Sequence, residues 1–219
     1  MSFRYCPPVL LEDLKSVTHP SGKRFYTLPD GTSFPSVTTV IGAKPKPGII
    51  AWRKSVGEEV ANRICAIACN RGTKVHELCE NYLNNEPLGS SMPDALQMFQ
   101  SIKPILNKID NIWYQEQALY CKTLGMAGRV DCVGHYNGVL SIIDFKTSKK
   151  PKKVEDIGDY FLQTTAYAIM VKEMLGVTIH NSVIIMAVQD DEPLVFESKT
   201  KDHMKGLLES IQYYRNQNV

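Results

Sequence analysis

Asn137-Gly138 stands between two apolar, strand-like runs, and no other dipeptide limits the fold of this chain as tightly. Both residue types accept positive φ, which a two-residue hairpin turn demands, so the pair predicts a β-hairpin of fixed register. With Tyr136 facing Val139, Asp131 falls opposite Asp144 and Arg129 opposite Lys146. Side chains alternate along a strand, which predicts all four on one face of the ribbon. Counted out from the turn, the two aspartates form a non-hydrogen-bonded pair with Cβ atoms roughly 4.5–5.5 Å apart.

Opposed carboxylates destabilise a sheet. A divalent cation removes the repulsion, and oxygen ligands suit a hard ion, Mg²⁺ or Mn²⁺, better than zinc. The plainer alternative is a surface hairpin whose aspartates pair with Arg129 and Lys146. Apolar residues on both faces, among them Val130, Val133, Ile142 and Phe145, argue instead for a central hairpin.

With 219 residues, 43% of them hydrophobic, the chain can bury one sizeable core. A net charge of +2 does not by itself announce a polyanion binder, so basic surface must be local. Lys44-Pro45-Lys46-Pro47 and Lys149-Lys150-Pro151-Lys152-Lys153 are the two clusters, and the second begins just after Lys146. No run approaches the ~20 apolar residues that span a bilayer, and no apolar signal core follows the first residues. Six cysteines without a Cys-x-x-Cys pair read as reduced thiols rather than a zinc or disulfide framework.

Turn chemistry at Pro29-Asp30-Gly31 predicts a small hairpin from 24–28 to 32–34. Ser36-Val37-Thr38-Thr39 reads as a capped helix start. Helical spacing runs from Ile49 to Asn85 through Val56, Val60, Ile64, Ala68, Val75, Leu78 and Tyr82, with Asn70-Arg71-Gly72 as a joint between two helices. Met92–Lys108 is a further amphipathic helix with Leu96, Phe99 and Ile102 inward and a kink at Pro104. Strands follow at 112–121, 127–136 and 139–146, then a helix over 154–175 stopped by Gly176. A buried strand over 178–189, a short partner at 194–197 and a helix over 200–216 complete the chain. From Gly72 onward the order is α-β-β-β-α-β, an α/β core with a mixed central sheet flanked by helices. Residues 1–70 form a hairpin and helical elaboration and 71–219 the core, in one compact domain.

Lys146 follows Asp144 by two residues on the same strand face. An ammonium there can position a metal-bound water and stabilise developing negative charge, as phosphodiester hydrolysis requires. No Ser or Cys with a His partner suggests acyl transfer, and no phosphate-cradling Gly-rich loop is present. His76 lies on a predicted helix with Gly72 and Glu80 one turn away, though a lone helical His is more often structural. Gln163 and Tyr167 share a face of the later helix, where packing beside Met170 and Met174 is the ordinary reading. Glu116 is a candidate for a further contact.

Gly72-Thr73-Lys74-Val75-His76, Gly128-Arg129-Val130-Asp131, Asp144-Phe145-Lys146-Thr147-Ser148 and Gln163-Thr164-Thr165-Ala166-Tyr167 follow one another in order and spacing that resemble the RecB-like nucleases of the PD-(D/E)XK superfamily. The motifs span somewhat under half of the chain. The resemblance implies a restriction-endonuclease-like core and metal-dependent cleavage of DNA, often of single strands from an end. It assigns His76, Asp131, Asp144 and the Phe145 backbone carbonyl to Mg²⁺ or Mn²⁺. Lys146 becomes the catalytic lysine, with Gln163 and Tyr167 orienting lysine or substrate. Val130 replaces the proline before the first acid, as is common in RecB-like members. Some relatives hold an iron–sulfur cluster on late cysteines; nothing after Cys132 is cysteine, so no cluster is expected.

The resulting expectation is a Mg²⁺- or Mn²⁺-dependent single-strand DNA exonuclease of replication, recombination or repair. Its partners would be DNA and the proteins of those processes, with no membrane, in the cytoplasm (the host's for a phage-encoded chain). Arg53, Arg71, Arg129, Lys149 and Lys150 are expected to meet phosphates. One alternative is a structure-selective endonuclease on the same core, disfavoured because no separate DNA-reading module is visible. Another is a non-catalytic DNA-binding subunit, which would be expected to have lost an acid or the lysine.

Overall fold

The computed structural model describes residues 2–217. Strands β1 (Lys15–Thr18), β2 (Arg24–Thr27) and β3 (Ser33–Pro35) form a small antiparallel sheet, of which the predicted hairpin is the β2–β3 half. A short helix α1 (Val37–Ile41) follows, capped by Ser36, whose Oγ accepts the Thr39 N–H at 3.0 Å. Helices α2 (Pro47–Val56) and α3 (Glu58–Leu83) come next. They are separated at Gly57, whose φ of +84° a side chain would resist.

α3 runs without interruption through Asn70-Arg71-Gly72, so the predicted joint is not there and the division at residue 70 crosses one continuous helix. Glycine in a helix costs about 1 kcal/mol relative to alanine, but here the helix packs beside β6: a Cβ on Gly72 would sit 3.4 Å from Thr147 Oγ1. The apolar stripe of α3 is buried at Val75 and Leu78 yet exposed at Val60 and Ile64, where the helix overhangs the core. Helical spacing identifies a stripe; it cannot say how far the body beneath it extends. α4 (Pro93–Leu106) buries Phe99, Ile102 and Leu106 and leaves Leu96 largely exposed.

The central sheet comprises β4 (Ile109–Cys121), β5 (Met126–Tyr136), β6 (Val139–Ser148), β7 (Asn181–Val188) and β8 (Leu194–Lys199), side by side in chain order. All neighbours are antiparallel except β6 and β7, which are joined through α5 (Gly158–Leu175) and run parallel. α6 (Met204–Gln217) ends the described chain. On one face α3 and α4 pack on Ile143, Phe145, Val183 and Ile185, with Phe3 joining them. On the other, α1, α5 and α6 pack on Val130, Val133 and Ile142. The result is three layers, helices on sheet on helices, with N-terminal residues contributing to both cores. No helix among the described residues is long and apolar enough to cross a membrane.

Candidate active site

Asn137 and Gly138 have φ of +49° and +79°, as a type I′ turn requires. The expected register holds from Tyr136–Val139 to Cys132–Ile143 and then stops. The Phe145 N–H donates to Asp131 Oδ2 at 2.7 Å rather than continuing the ladder. An extended residue directs its N–H and C=O toward the same neighbour, so the Phe145 carbonyl faces the opened gap too.

Two expectations are thereby corrected. Asp131 and Asp144 are not a ladder pair, and Arg129 does not oppose Lys146: it pairs with Ala118 of β4, and Lys146 with Met186 of β7. Simple alternation fails as well, because Val130 packs toward α5 and Cys132 toward α3 although they are two residues apart. β5 rolls over at Asp131, whose side chain takes an amide that the neighbouring backbone would have used.

A hollow of about 570 Å³ lies at this opening. His76 and Glu80 of α3 line it, as do Gln163 and Tyr167 of α5, with Arg24 and Thr38 supplied by the N-terminal unit. His76 Nδ1 is 3.6 Å from Asp131 Oδ2, and the imidazole stands edge-on to Phe145 with ring centroids 6.2 Å apart. His76, Asp131 and Glu116 each present a ligand atom, all within 4.8 Å of one another.

Glu116 is the acid that sequence reasoning ranked too low. Gln115 pairs with Cys132 and Gln117 with Val130, which places Glu116 opposite Asp131 across β4 and β5. Its φ is +46°, a left-handed conformation that costs a side-chain-bearing residue about 1–2 kcal/mol. Burial, with Asp131 and Glu80 alongside, pushes its carboxyl up to about 8. The β4–β5 connection through Lys122-Thr123-Leu124-Gly125 carries no two-residue turn signature, so this register was not readable.

Asp144 lies outside the trio and is 1% exposed. Lys146 Nζ approaches its Oδ2 at 2.5 Å, yet neither Asp144 oxygen has an aligned hydrogen bond among the described residues. The two charged groups are in direct contact, and Asp144 Oδ1 has no partner of its own among the described residues. Burial, with Asp131 nearby, pushes the Asp144 carboxyl up to about 6 against the pull of Lys146. Burial pulls the Lys146 ammonium down, but Asp144 and Asp131 outweigh it and the net shift is upward. Lys146 Nζ also donates to Gln163 Oε1 at 3.4 Å, and Gln163 Nε2 to Tyr167 Oη at 3.3 Å. Gly128 makes room for that relay: a Cβ there would lie 2.9 Å from Tyr167 Cε1 and 3.1 Å from Val37 Cγ2.

The expected phosphate-binding cations divide. Arg129 lines the hollow and is held by the Glu116 carbonyl and, at 2.6 and 2.8 Å, by Asp13. Lys149 and Lys150 are exposed beyond β6, outside the hollow's lining. Lys152 Nζ is 5.7 Å from the Tyr160 ring, whose centroid also lies 5.1 Å from Lys146 Nζ. Arg53 is tied to Glu58 at 2.5 Å and to Asn62 at the α2–α3 corner, away from the site. Arg71 is buried and donates to Gln189 Oε1 at 2.7 Å. Arg71 is withdrawn from a substrate-facing role, since α3 turns it inward, whereas Arg53 stays partly exposed outside the hollow's lining.

These residues fit a hard divalent cation. His76, Glu116 and Asp131 present ligand atoms within 4.8 Å of one another, a spacing that one divalent cation can bridge. Asp144 Oδ1, buried and without a partner among the described residues, is costly if left so.

This chain belongs to the PD-(D/E)XK nuclease superfamily, whose family model matches residues 61–214. Mitochondrial genome maintenance exonuclease 1 of Mus musculus is 26% identical over 205 residues, 87% of this chain and 61% of that protein. The Homo sapiens protein of the same name is 31% identical over 129 residues, 56% of this chain and 38% of its own length. The chain thus spans under two thirds of either relative. A solved protein of Eubacterium rectale, provisionally named an exonuclease, superposes with a TM-score of 0.45 at 16% identity, covering 69% of this chain and 68% of that one.

Proposed function

We propose that this protein is a Mg²⁺- or Mn²⁺-dependent deoxyribonuclease that removes nucleotides from an end of single-stranded DNA. The observation that carries the reading is the convergence of Asp131, Glu116 and His76 on one opening that Lys146 also lines, with Asp144 buried against that lysine. His76, Asp131 and Glu116 would hold the ion, with Asp144 and the Phe145 carbonyl supplying oxygens from β6. An ion held by these residues would supply Lewis acidity for the phosphoryl group and for the attacking water. The imidazole among the ligands favours Mn²⁺ over Mg²⁺.

Asp144 and Asp131 favour the ammonium form of Lys146 against its burial. As an ammonium it can orient the attacking water and stabilise the negative charge that develops on the phosphoryl group. Gln163 fixes Lys146, and Tyr167 fixes Gln163. Burial keeps the Tyr167 phenol protonated, so it remains a donor. Arg129 lines the hollow close to where a scissile phosphate would sit.

Action from an end is supported by the name of the mouse and human relatives, and the hollow between α3, α5 and residues 24–38 is where the strand would enter. Such an activity belongs to DNA replication, recombination or repair, in the cytoplasm or in the host cytoplasm for a phage-encoded chain. The test compares end-labelled linear with closed circular single strands, with Mn²⁺ or chelator. Linear strands should shorten while circles persist; rapid cutting of circles would remove the exonuclease reading, and cleavage in chelator the metal.

A further inference from the structure

Tyr160, Gln163 and Tyr167 fall on one stripe of α5, at i, i+3 and i+7. Gln163 Oε1 is 3.4 Å from Lys146 Nζ, and the same ammonium stands over the Tyr160 ring, 5.1 Å from its centroid. A cation within about 6 Å of a ring centroid is attracted by the negative face of the aromatic system. The ring is itself held in place. It packs, half-buried, against the cluster of Ile157, Phe161, Ile184 and Met186. The Tyr160 N–H donates to the Ile157 carbonyl at 2.9 Å, and the adjoining Asp159 is paired with Lys46 at 2.7 Å.

A lysine head sits on a flexible four-carbon stem and is placed only as well as its neighbours place it. Asp144 and Gln163 hold Lys146 through polar atoms. A ring face holds it through charge alone, which leaves N–H directions open to a water or a phosphoryl oxygen. Lys146 and Gln163 line the active-site hollow, whereas Tyr160 is not part of its lining. The ring therefore backs the lysine from behind the opening. We propose that Tyr160 is a positioning residue for the chemical step, its ring face keeping the Lys146 ammonium at the opening where water and phosphate would meet it. The inference rests on the nuclease reading above and deepens it by naming how the lysine is held.

The experiment uses the full chain and linear single strands, with kcat and KM measured separately in Mn²⁺ and Kd in Ca²⁺. Tyr160→Leu keeps an apolar side chain but removes the ring face, and kcat should fall by about tenfold with KM and Kd nearly unchanged. Tyr160→Phe should retain kcat. Progressively fluorinated phenylalanines at this position keep the shape and weaken the negative face, so kcat should fall stepwise along the series; if Tyr160→Leu does not fold, this series decides. In metal-free protein with ¹³C-labelled lysine, assigned by Lys146→Arg, the ring current should displace the Lys146 ε-methylene protons upfield, and Tyr160→Leu should abolish the displacement. A Tyr160→Leu variant that loses affinity in Ca²⁺ with kcat intact, a kcat indifferent to fluorination, or Lys146 protons with no upfield displacement overturns the positioning role while the nuclease reading stands. A wild type that cleaves no DNA overturns both.

Discussion

β5 has a neighbour on each side, and Asp131 meets an acid in both directions. Toward β6 the crowding is relieved by opening: pairing ends at Cys132–Ile143, and the Phe145 amide turns to the Asp131 carboxylate. Toward β4 the ladder is regained on the far side, at Gln117–Val130, and Glu116 absorbs the conflict in a left-handed backbone. Opening frees backbone groups to serve the site, whereas strain re-aims one side chain and leaves the backbone committed. One cluster of negative charge thus has two mechanical solutions, and they should differ in what their removal does.

The largest effect is expected on the opened side. Asp131→Asn and Asp144→Asn should lower cleavage on the order of 10²–10³-fold or more, while binding of single strands in Ca²⁺ persists. Glu116→Gln should cost less, about 10–100-fold, with weaker metal affinity read by calorimetry. Equal losses in Glu116→Gln and Asp144→Asn would erase the proposed difference between the two sides.

Gly128→Ala probes the strand they share. Its Cβ would meet Tyr167 at 2.9 Å, so a loss of about 1–3 kcal/mol in unfolding free energy is expected, together with reduced kcat. An unchanged melting temperature would mean that Tyr167 moves aside freely and that the glycine serves no packing purpose.

The strained side should also report pH. A carboxyl whose folded pKa exceeds its unfolded value favours the fold at low pH and loses that contribution as pH rises through the folded value. Glu116 is raised from 4.5 to about 8. In chelator, melting temperature should therefore decline across that window, and either saturating Mn²⁺ or Glu116→Gln should flatten the decline. A metal-free profile that climbs with pH over the same range contradicts it. The smallest effect is expected at the turn: Asn137→Ala, at φ +49°, should lose about 1 kcal/mol and no activity.

Several site residues could be read directly from the chain. Motif spacing singled out Asp131, Asp144, Lys146 and Gln163, and Lys146 does contact both Asp144 and Gln163, although the pairing expected from the turn does not extend to the aspartates. Arg71 illustrates the opposite. Beside a glycine it looked like a joint with an outward cation, yet α3 continues and its guanidinium meets Gln189 from the end of β7. Glu116 was undervalued because the loop that joins β4 to β5 has no turn chemistry that fixes a register. The exposure of Val60 and Ile64 was equally hidden, since spacing along one helix does not reveal where its neighbours end.

The order of elements and the hairpin register from Tyr136–Val139 to Cys132–Ile143 were determined by the sequence itself, because a two-residue turn leaves one register and covalent geometry carries it outward residue by residue. That determinacy lapses at Cys132–Ile143, where a side chain outcompetes the backbone for a single amide. The third carboxylate and the inward turn of Arg71 were decided only in three dimensions. Each depends on elements far apart in the chain meeting across a packed sheet, and no local pattern of residues carries that information.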